Sequence, residues 1–344
     1  MPRTFTLASR TSQLAQIQTN IVLETLQDAY PVSDSNPIFT TSFMATAGDK
    51  NQSQALYLIG GKALWTKELE VALKEHHVDM LVHSLKDVPT TLPDGCVLGA
   101  ILEREDPVDS LVVKQGKEWK TLDDLPVGSV VGTSSVRRVA QLKRKYPYLK
   151  FLDVRGNLNT RMAKLDADDG PYAALVLAKA GMVRLGMGGR ITSDITPPTL
   201  YHAVSQGALG VEIRSDDIEA IELCKKLTHR ETSWKCRAER ACLRVLEGGC
   251  SVPVGVSSGL TGTPGEEVLT LTGCVTGIDG KEHVQHILAE MVTSVEEAER
   301  VGEKLAKILI ETGAKKILED INIDRDRRVR EAKASEDVNA IEQR

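Results

Sequence analysis

The chain has 344 residues, 41% hydrophobic and 26% charged, with a formal net charge of -5. That length holds two or three domains with full cores, and the balance is that of a soluble globular protein. No apolar run approaches a bilayer span, Met1 to Leu7 lacks the apolar stretch of a secretory leader, and 4% aromatic residues are too few for a base-stacking surface.

In chain order, Phe5 to Ala8 reads as a strand, after which Ser9, Thr11 and Ser12 offer helix N-caps. Leu14, Ile17, Ile21, Val22 and Leu26 form the stripe of a helix that stops before Pro31. Residues 38–46 read as the next strand, Gly48 to Gly61 as a long polar loop, and Trp65 to His77 as a helix. The short apolar run Met80 to Val82 ends in His83-Ser84-Leu85-Lys86-Asp87-Val88-Pro89, a polar cluster at a strand's carboxyl end, where open α/β sheets bind ligands. Val97 to Leu102 and Ser110 to Val113 continue the alternation.

The stretch Gly132 to Arg161 departs from the rest. It carries Arg137, Arg138, Lys143, Arg144, Lys145, Lys150, Arg155 and Arg161 against the single acid Asp153, a local charge of +7. Val130-Val131 leads into Gly132-Thr133-Ser134-Ser135 and Arg137-Arg138; Phe151 to Val154 leads into Arg155-Gly156-Asn157 and Arg161. Each reads as strand, small-residue turn and helix start. Helix N-termini favour anions, and arginine adds a fork that fits carboxylate or phosphate. Two such ends describe a cradle for a ligand with several negative groups. Lys143, Arg144 and Lys145, at the far end of their helix, read as a solvated face.

Ala173 to Leu177 is a further strand, Ala178 to Leu185 a helix with Arg184, and 194–200, with two prolines, an irregular crossover. Gln206 to Gly210 leads into the strand Val211 to Arg214. Two helices follow (217–228 and 231–246), then a Gly248-Gly249-Cys250 loop, hairpin-like strands at Thr270 to Thr276 and His286 to Met291, and a long helix from Val295. No internal repeat stands out. Residues 1–216 read as two α/β lobes, the remainder as a smaller α+β domain, and the charged segment from Asp324 as disordered.

Lys86-Asp87 is the acid/base candidate, a carboxylate beside an ammonium at a sheet's mouth; an exposed turn pair is the plainer alternative. The six cysteines include no C-x-x-C pair, which argues against a zinc site and a disulfide framework. Cys250 stands apart, because two glycines and Pro253 put it on a reachable loop. His83 reads as structural.

Five stretches in order carry a resemblance: Ala8 to Ala15 (ASRTSQLA), His83 to Pro89, Gly132 to Arg138, Arg155-Gly156-Asn157 with Arg161, and Leu246 to Pro253 (LEGGCSVP). Together they resemble the porphobilinogen deaminase (hydroxymethylbilane synthase) family, its fungal members above all, with a weaker match to about 322. The resemblance implies two lobes like those of periplasmic binding proteins, 1–105 with 201–216 and 106–200, a cofactor-attachment domain over 217–322 and a tail over 323–344. It implies a transferase of haem biosynthesis that joins four porphobilinogens into hydroxymethylbilane on a covalent dipyrromethane, held as a thioether at Cys250. Asp87 would be catalytic. Arg10, Lys86, Arg137, Arg138, Arg155, Arg161 and Arg184 would bind acetate and propionate groups; Ser12, Gln18, Ser84, Thr133, Ser134, Ser135, Gln206 and Gly207 would line the cleft. No metal is implied. A cytoplasmic monomer with a small-molecule substrate, and with neither nucleic acid nor membrane as partner, is expected. Leu58 stands where many members carry a loop lysine, Trp65 where a Phe is common, and Ser205 where Gly-Gln-Gly is usual.

A solute-binding protein or effector domain would share the two lobes but has no need of Cys250 or of Asp87 among cations. A nucleic-acid binder would use the basic stretch, against the net charge and the scarce aromatics.

Overall fold

The computed structural model describes residues 2–46, 65–246 and 252–324, with 326, 327 and 330. Three sheets organise them. The first joins β1 (Thr4–Arg10), β2 (Ile38–Met44), β3 (Met80–Ser84), β4 (Cys96–Ile101) and β10 (Leu209–Arg214) in the order β2-β1-β3-β10-β4. β1 runs parallel to β2 and β3; β10 runs antiparallel to β3 and β4. Met80, Leu81 and Val82 are all buried, as a central strand covered on both faces requires. Helix α1 (Gln13–Ala29), capped by the Ser12 hydroxyl, packs Val22 and Leu26 against Phe5, Met80 and Val82.

The second sheet has the order β7-β6-β8-β5-β9, from β5 (Asp109–Val113), β6 (Val130–Gly132), β7 (Lys150–Leu152), β8 (Ala174–Ala178) and β9 (Ser193–Ile195). Its plan repeats the first: three parallel strands, then one antiparallel strand between the third and an edge. Helices α3 (Val136–Lys145), α4 (Leu158–Asp166) and α5 (Lys179–Arg184) follow β6, β7 and β8. The third sheet is an antiparallel meander of β11 (Val254–Thr261), β12 (Val268–Thr276) and β13 (His283–Met291), covered by α7 (Arg230–Leu246) and α8 (Val295–Leu309). The two helices touch because Gly302 has no side chain; a Cβ there would lie 2.0 Å from the Ala238 carbonyl oxygen.

The α/β class with two lobes and a smaller α+β unit is as expected. Several details are not. Helix α6 (Ile218–Leu227), assigned by pattern to the C-terminal unit, buries Ala220, Leu223, Cys224 and Leu227 in the first lobe's core. The crossover 194–200 is not wholly irregular, since Ser193–Ile195 pairs with β5 before Pro197 and Pro198 remove donors. The strand expected over Phe151 to Val154 is Lys150–Leu152. The helix expected over Trp65 to His77 is shorter, α2 (Lys67–Lys74), ending before His76 at φ 59°. Strand β11 was not expected; Gly255, Ser257, Ser258 and Gly259 carry little strand signal, and eight residue pairs with β12 hold it. The loop Gly48 to Gly61, with Leu58, lies outside the described residues, as does most of the segment after Asp324, itself still helical.

Candidate active site

A cleft of 520 Å³ opens between the two lobes, where β1, β3 and β8 end. Leu85 is fully buried and anchors a single turn, Leu85–Asp87, closed by the Val88 amide on the Leu85 carbonyl at 3.2 Å. Lys86 and Asp87 are left lining the cleft. Burial pushes the Lys86 ammonium down to about 8; Asp87 pulls it up, and Arg138 pushes it further down. Ser84 and the buried Gln18 exchange hydrogen bonds of 2.8 and 3.1 Å, fixing α1 against the end of β3. Arg10, at the end of β1, lays its guanidinium over the Trp65 ring at 4.0 Å, so the tryptophan orients a cleft cation. Ser12 lines the same wall.

Opposite lie the two strand-to-helix turns. Ser135 caps α3 by accepting from the Arg138 amide, its own amide donates to the Thr133 hydroxyl, and the Ser134 hydroxyl donates to the Val154 carbonyl at 2.7 Å. These three residues hold the turns and do not appear in the cleft lining. In the second turn Gly156 has φ +108°, a conformation L side chains rarely adopt, and its carbonyl accepts from Arg161 Nε at 2.8 Å. Burial, then repulsion from Arg138 and Arg155, holds the Arg161 guanidinium down at about 10. Burial also lowers Arg184, which donates to the Gly207 carbonyl at 2.7 Å. Arg155 Nη1 and Arg184 Nε are buried with no hydrogen-bond partner. Unmet donors of this kind fit carboxylate ligands.

Asp109, at the start of β5, was not singled out from sequence. It is wholly buried, and its carboxylate accepts from Arg138 Nη2 at 2.7 Å, Arg138 Nε at 3.0 Å and Gln206 Nε2 at 2.9 Å, with Arg137 Nη1 at 2.8 Å. Burial alone would raise its pKa; Arg137 and Arg138 overrule it and hold the carboxyl far below the usual range. Arg137 and Gln206 are thereby drawn out of the cleft lining, while Arg138 keeps an edge in it. The signal for Asp109 lay in the unbalanced local charge: so many arginines at helix starts need a buried counter-ion.

His83 pairs with the buried Glu212 of the neighbouring strand at 3.1 Å. Gly207, at φ +90°, passes so close to Glu105 that a Cβ would lie 2.3 Å from its carbonyl oxygen. Cys250 lies outside the described residues. The other five cysteines are buried, and burial pushes their thiols up to about 11 or 12. Among the described residues no cluster of His, Cys, Asp and Glu would hold a metal, and no helix is long and apolar enough to cross a membrane.

The family models and the sequence relatives agree with one another. A family model described as "Porphobilinogen deaminase, dipyromethane cofactor binding domain" matches residues 5–222, and the corresponding C-terminal domain matches 234–311. The porphobilinogen deaminase of Nostoc sp. is 49% identical over 93% of this chain and 95% of its own. That of Saccharomyces cerevisiae is 47% identical over 94% and 99%, and that of Synechococcus elongatus 50% identical over 93% and 96%. Among solved structures, the periplasmic sulfonate-binding protein SsuA from Methylobacillus flagellatus aligns over 72% of this chain and 70% of its own, at 12% identity and TM-score 0.37.

Proposed function

The chain belongs to the porphobilinogen deaminase family, and from that premise we propose which of its residues carry the reaction. It is a transferase of tetrapyrrole and haem biosynthesis that deaminates porphobilinogen and joins four molecules head to tail into hydroxymethylbilane on a dipyrromethane cofactor. The observation that carries the residue assignment is Asp87, among the described residues the one acid in a cleft lining that also contains Arg10, Lys86, Arg138, Arg155, Arg161 and Arg184.

When bound, the cofactor would supply the pyrrole carbon to which the first substrate is joined and from which the chain then grows. Arg155 and Arg184, with buried donors unmet, take acetate and propionate carboxylates, and Lys86, Arg10, Arg138 and Arg161 add charge around them. Ser12, Ser84 and Gln18 set the floor under the ring. Asp87 guides the proton to the departing amine nitrogen, balances the positive charge developing on the pyrrole, and removes the ring proton after bonding. Arg137, Gln206, Thr133, Ser134 and Ser135 serve from behind, as supports of the arginine turns. Gly207 gives its carbonyl to Arg184. The covalent tether is a thioether at Cys250; the raised pKa of every described thiol supports that assignment. We also propose a cytoplasmic monomer, in which the described cysteines are buried and unpaired.

The test is Asp87→Asn, loaded with preformed tetrapyrrole and mixed with porphobilinogen in a single turnover. Ammonia release should fall about 10²–10⁴-fold while the covalent pyrrole stays detectable by mass. An unchanged rate removes Asp87 from the chemistry. Cys250→Ala should have the mass of the bare sequence; a pyrrole adduct on that variant refutes the tether.

A further inference from the structure

The helix that precedes Cys250 in sequence also grips the cleft from behind. Arg240, buried on α7, donates from Nη1 to the Val88 carbonyl at 3.1 Å and from Nη2 to the Pro89 carbonyl at 2.5 Å, the two carbonyls directly after Asp87. Its neighbour Glu239 is wholly buried. Its carboxylate accepts from both Arg104 Nη atoms at 2.7 and 3.1 Å, from the Ser205 amide at 2.7 Å and from the Ser258 hydroxyl at 2.6 Å. Burial would raise its pKa, and Arg104 holds it down at about 2, so it is charged throughout the working range.

Arg104 passes the grip onward, its Nε donating to the Gln206 carbonyl at 2.6 Å. The Gln206 side chain bridges Lys86 of the cleft and the buried Asp109 behind it: its Oε1 accepts from Lys86 at 3.4 Å and its Nε2 donates to Asp109 at 2.9 Å. Ser205 sits at φ +61°, a left-handed conformation unfavourable for a residue with a Cβ. The hydrogen bond from its amide to Glu239 ties that turn to the helix. The Leu85 amide donates to the Ala208 carbonyl at 3.0 Å, so the two gripped segments are also tied to each other.

We propose that Glu239 and Arg240 are positioning residues. Arg240 sets the Asp87 turn, and Glu239, through Arg104 and Gln206, sets Lys86 and the Asp109–Arg138 pair. Neighbouring residues on a helix point about 100° apart, so one rigid helix reaches both segments. One helix thus fixes both the acid/base turn and the Gln206 segment. This inference rests on the assignment of Asp87 and Lys86 made above.

The two arms have different signatures. Reacting groups misplaced by about 1 Å lose on the order of 10²-fold in rate. Arg240→Met should therefore lower kcat at least tenfold with KM within about twofold, because Asp87 acts in the transition state. If that variant does not fold, Arg240→Lys replaces it. A single ammonium does not reproduce the fork on two carbonyls, so kcat should again fall. Glu239→Gln strands the buried Arg104 charge, so the second arm uses Arg104→Met with Glu239→Met, which removes both charges. It should raise KM for porphobilinogen more than it lowers kcat, through Lys86. Holoenzyme and near-UV circular dichroism check that each variant is loaded and folded, and Asp87→Asn is run alongside. Folded variants with wild-type kcat and KM, or with both constants lost in proportion, overturn the inference. If Asp87→Asn is inactive and Arg240→Met is not slowed, only the inference falls. If Asp87→Asn is itself unimpaired, the assignment of Asp87 falls, and the inference with it.

Discussion

Replacing Asp109 by Asn tests whether the arginine turns are held together by one buried charge. The amide keeps the size of the carboxylate but leaves Arg137 and Arg138, only 5% and 6% exposed, without a counter-ion. Each keeps one carbonyl, that of Tyr201 at 2.6 Å for Arg137 and that of Val176 at 2.7 Å for Arg138. Breaking a buried pair from one side costs about 3–5 kcal/mol, and full burial means water does not screen it. A loss of that size lowers the melting temperature by on the order of 10 °C. The pH dependence adds a second check. Asp109 has its carboxyl depressed, so its stabilisation is complete above the unfolded value of about 3.9 and is lost only as pH falls through the lower folded value. Denaturant unfolding of wild type and variant should therefore give the same difference at pH 5, 6.5 and 8. Adding Arg137→Met should restore part of the loss, by removing one stranded cation. A difference under about 1 kcal/mol, or one that changes steeply between pH 5 and 8, would refute the assignment of Asp109 as the structural counter-ion.

Arg155→Ala and Arg137→Ala should part company: the first removes a donor with no partner, so it should spare stability while weakening substrate or cofactor binding by about 1.5–3 kcal/mol, and the second should lower melting temperature first. Equal melting curves for the two would contradict this. Since burial holds Lys86 at about 8, kcat/KM should decline as pH rises through that value and the ammonium is lost, with the limb moving upward in kcat once bound carboxylates stabilise the charge; a flat profile from pH 7 to 9 would exclude Lys86 as a charged ligand. Ser205→Gly should stabilise the protein by up to about 1 kcal/mol by relieving the left-handed backbone, read as a higher denaturation midpoint.

The cleft was legible where chemistry is local. Small residues after an apolar run, then arginines, mark a strand-to-helix turn whatever surrounds it, and both such turns form as read. What was not legible depends on partners distant in sequence. Asp109 looks like any acid before an apolar strand until Arg137, Arg138 and Gln206 fold onto it. Arg137 carries the same sequence signal as Arg138, and only packing decides which of them keeps an edge in the cleft. The stripe of α6 announces a buried face without saying which core receives it. The common plan of the two lobes is a repeat of strand order and not of residues, so the sequence read as having no repeat.

The place of β10 bears on how the protein is made. Its Leu209, Val211 and Ile213 are almost wholly buried, and the strand is wedged between β3 and β4, whose last residue is Ile101. Every strand of the second sheet, from Asp109 to Ile195, lies between those two points in the chain. During vectorial synthesis the second lobe therefore emerges with its sheet complete, while the first still has an open gap at its centre. The nascent first lobe must wait with two unpaired strand edges, an arrangement prone to wrong pairing. A chain halted between Ile195 and Leu209 would present that gap permanently. Such fragments should bind chaperones and aggregate through β3 and β4, even though they already contain Asp87 and all the arginines of the cleft.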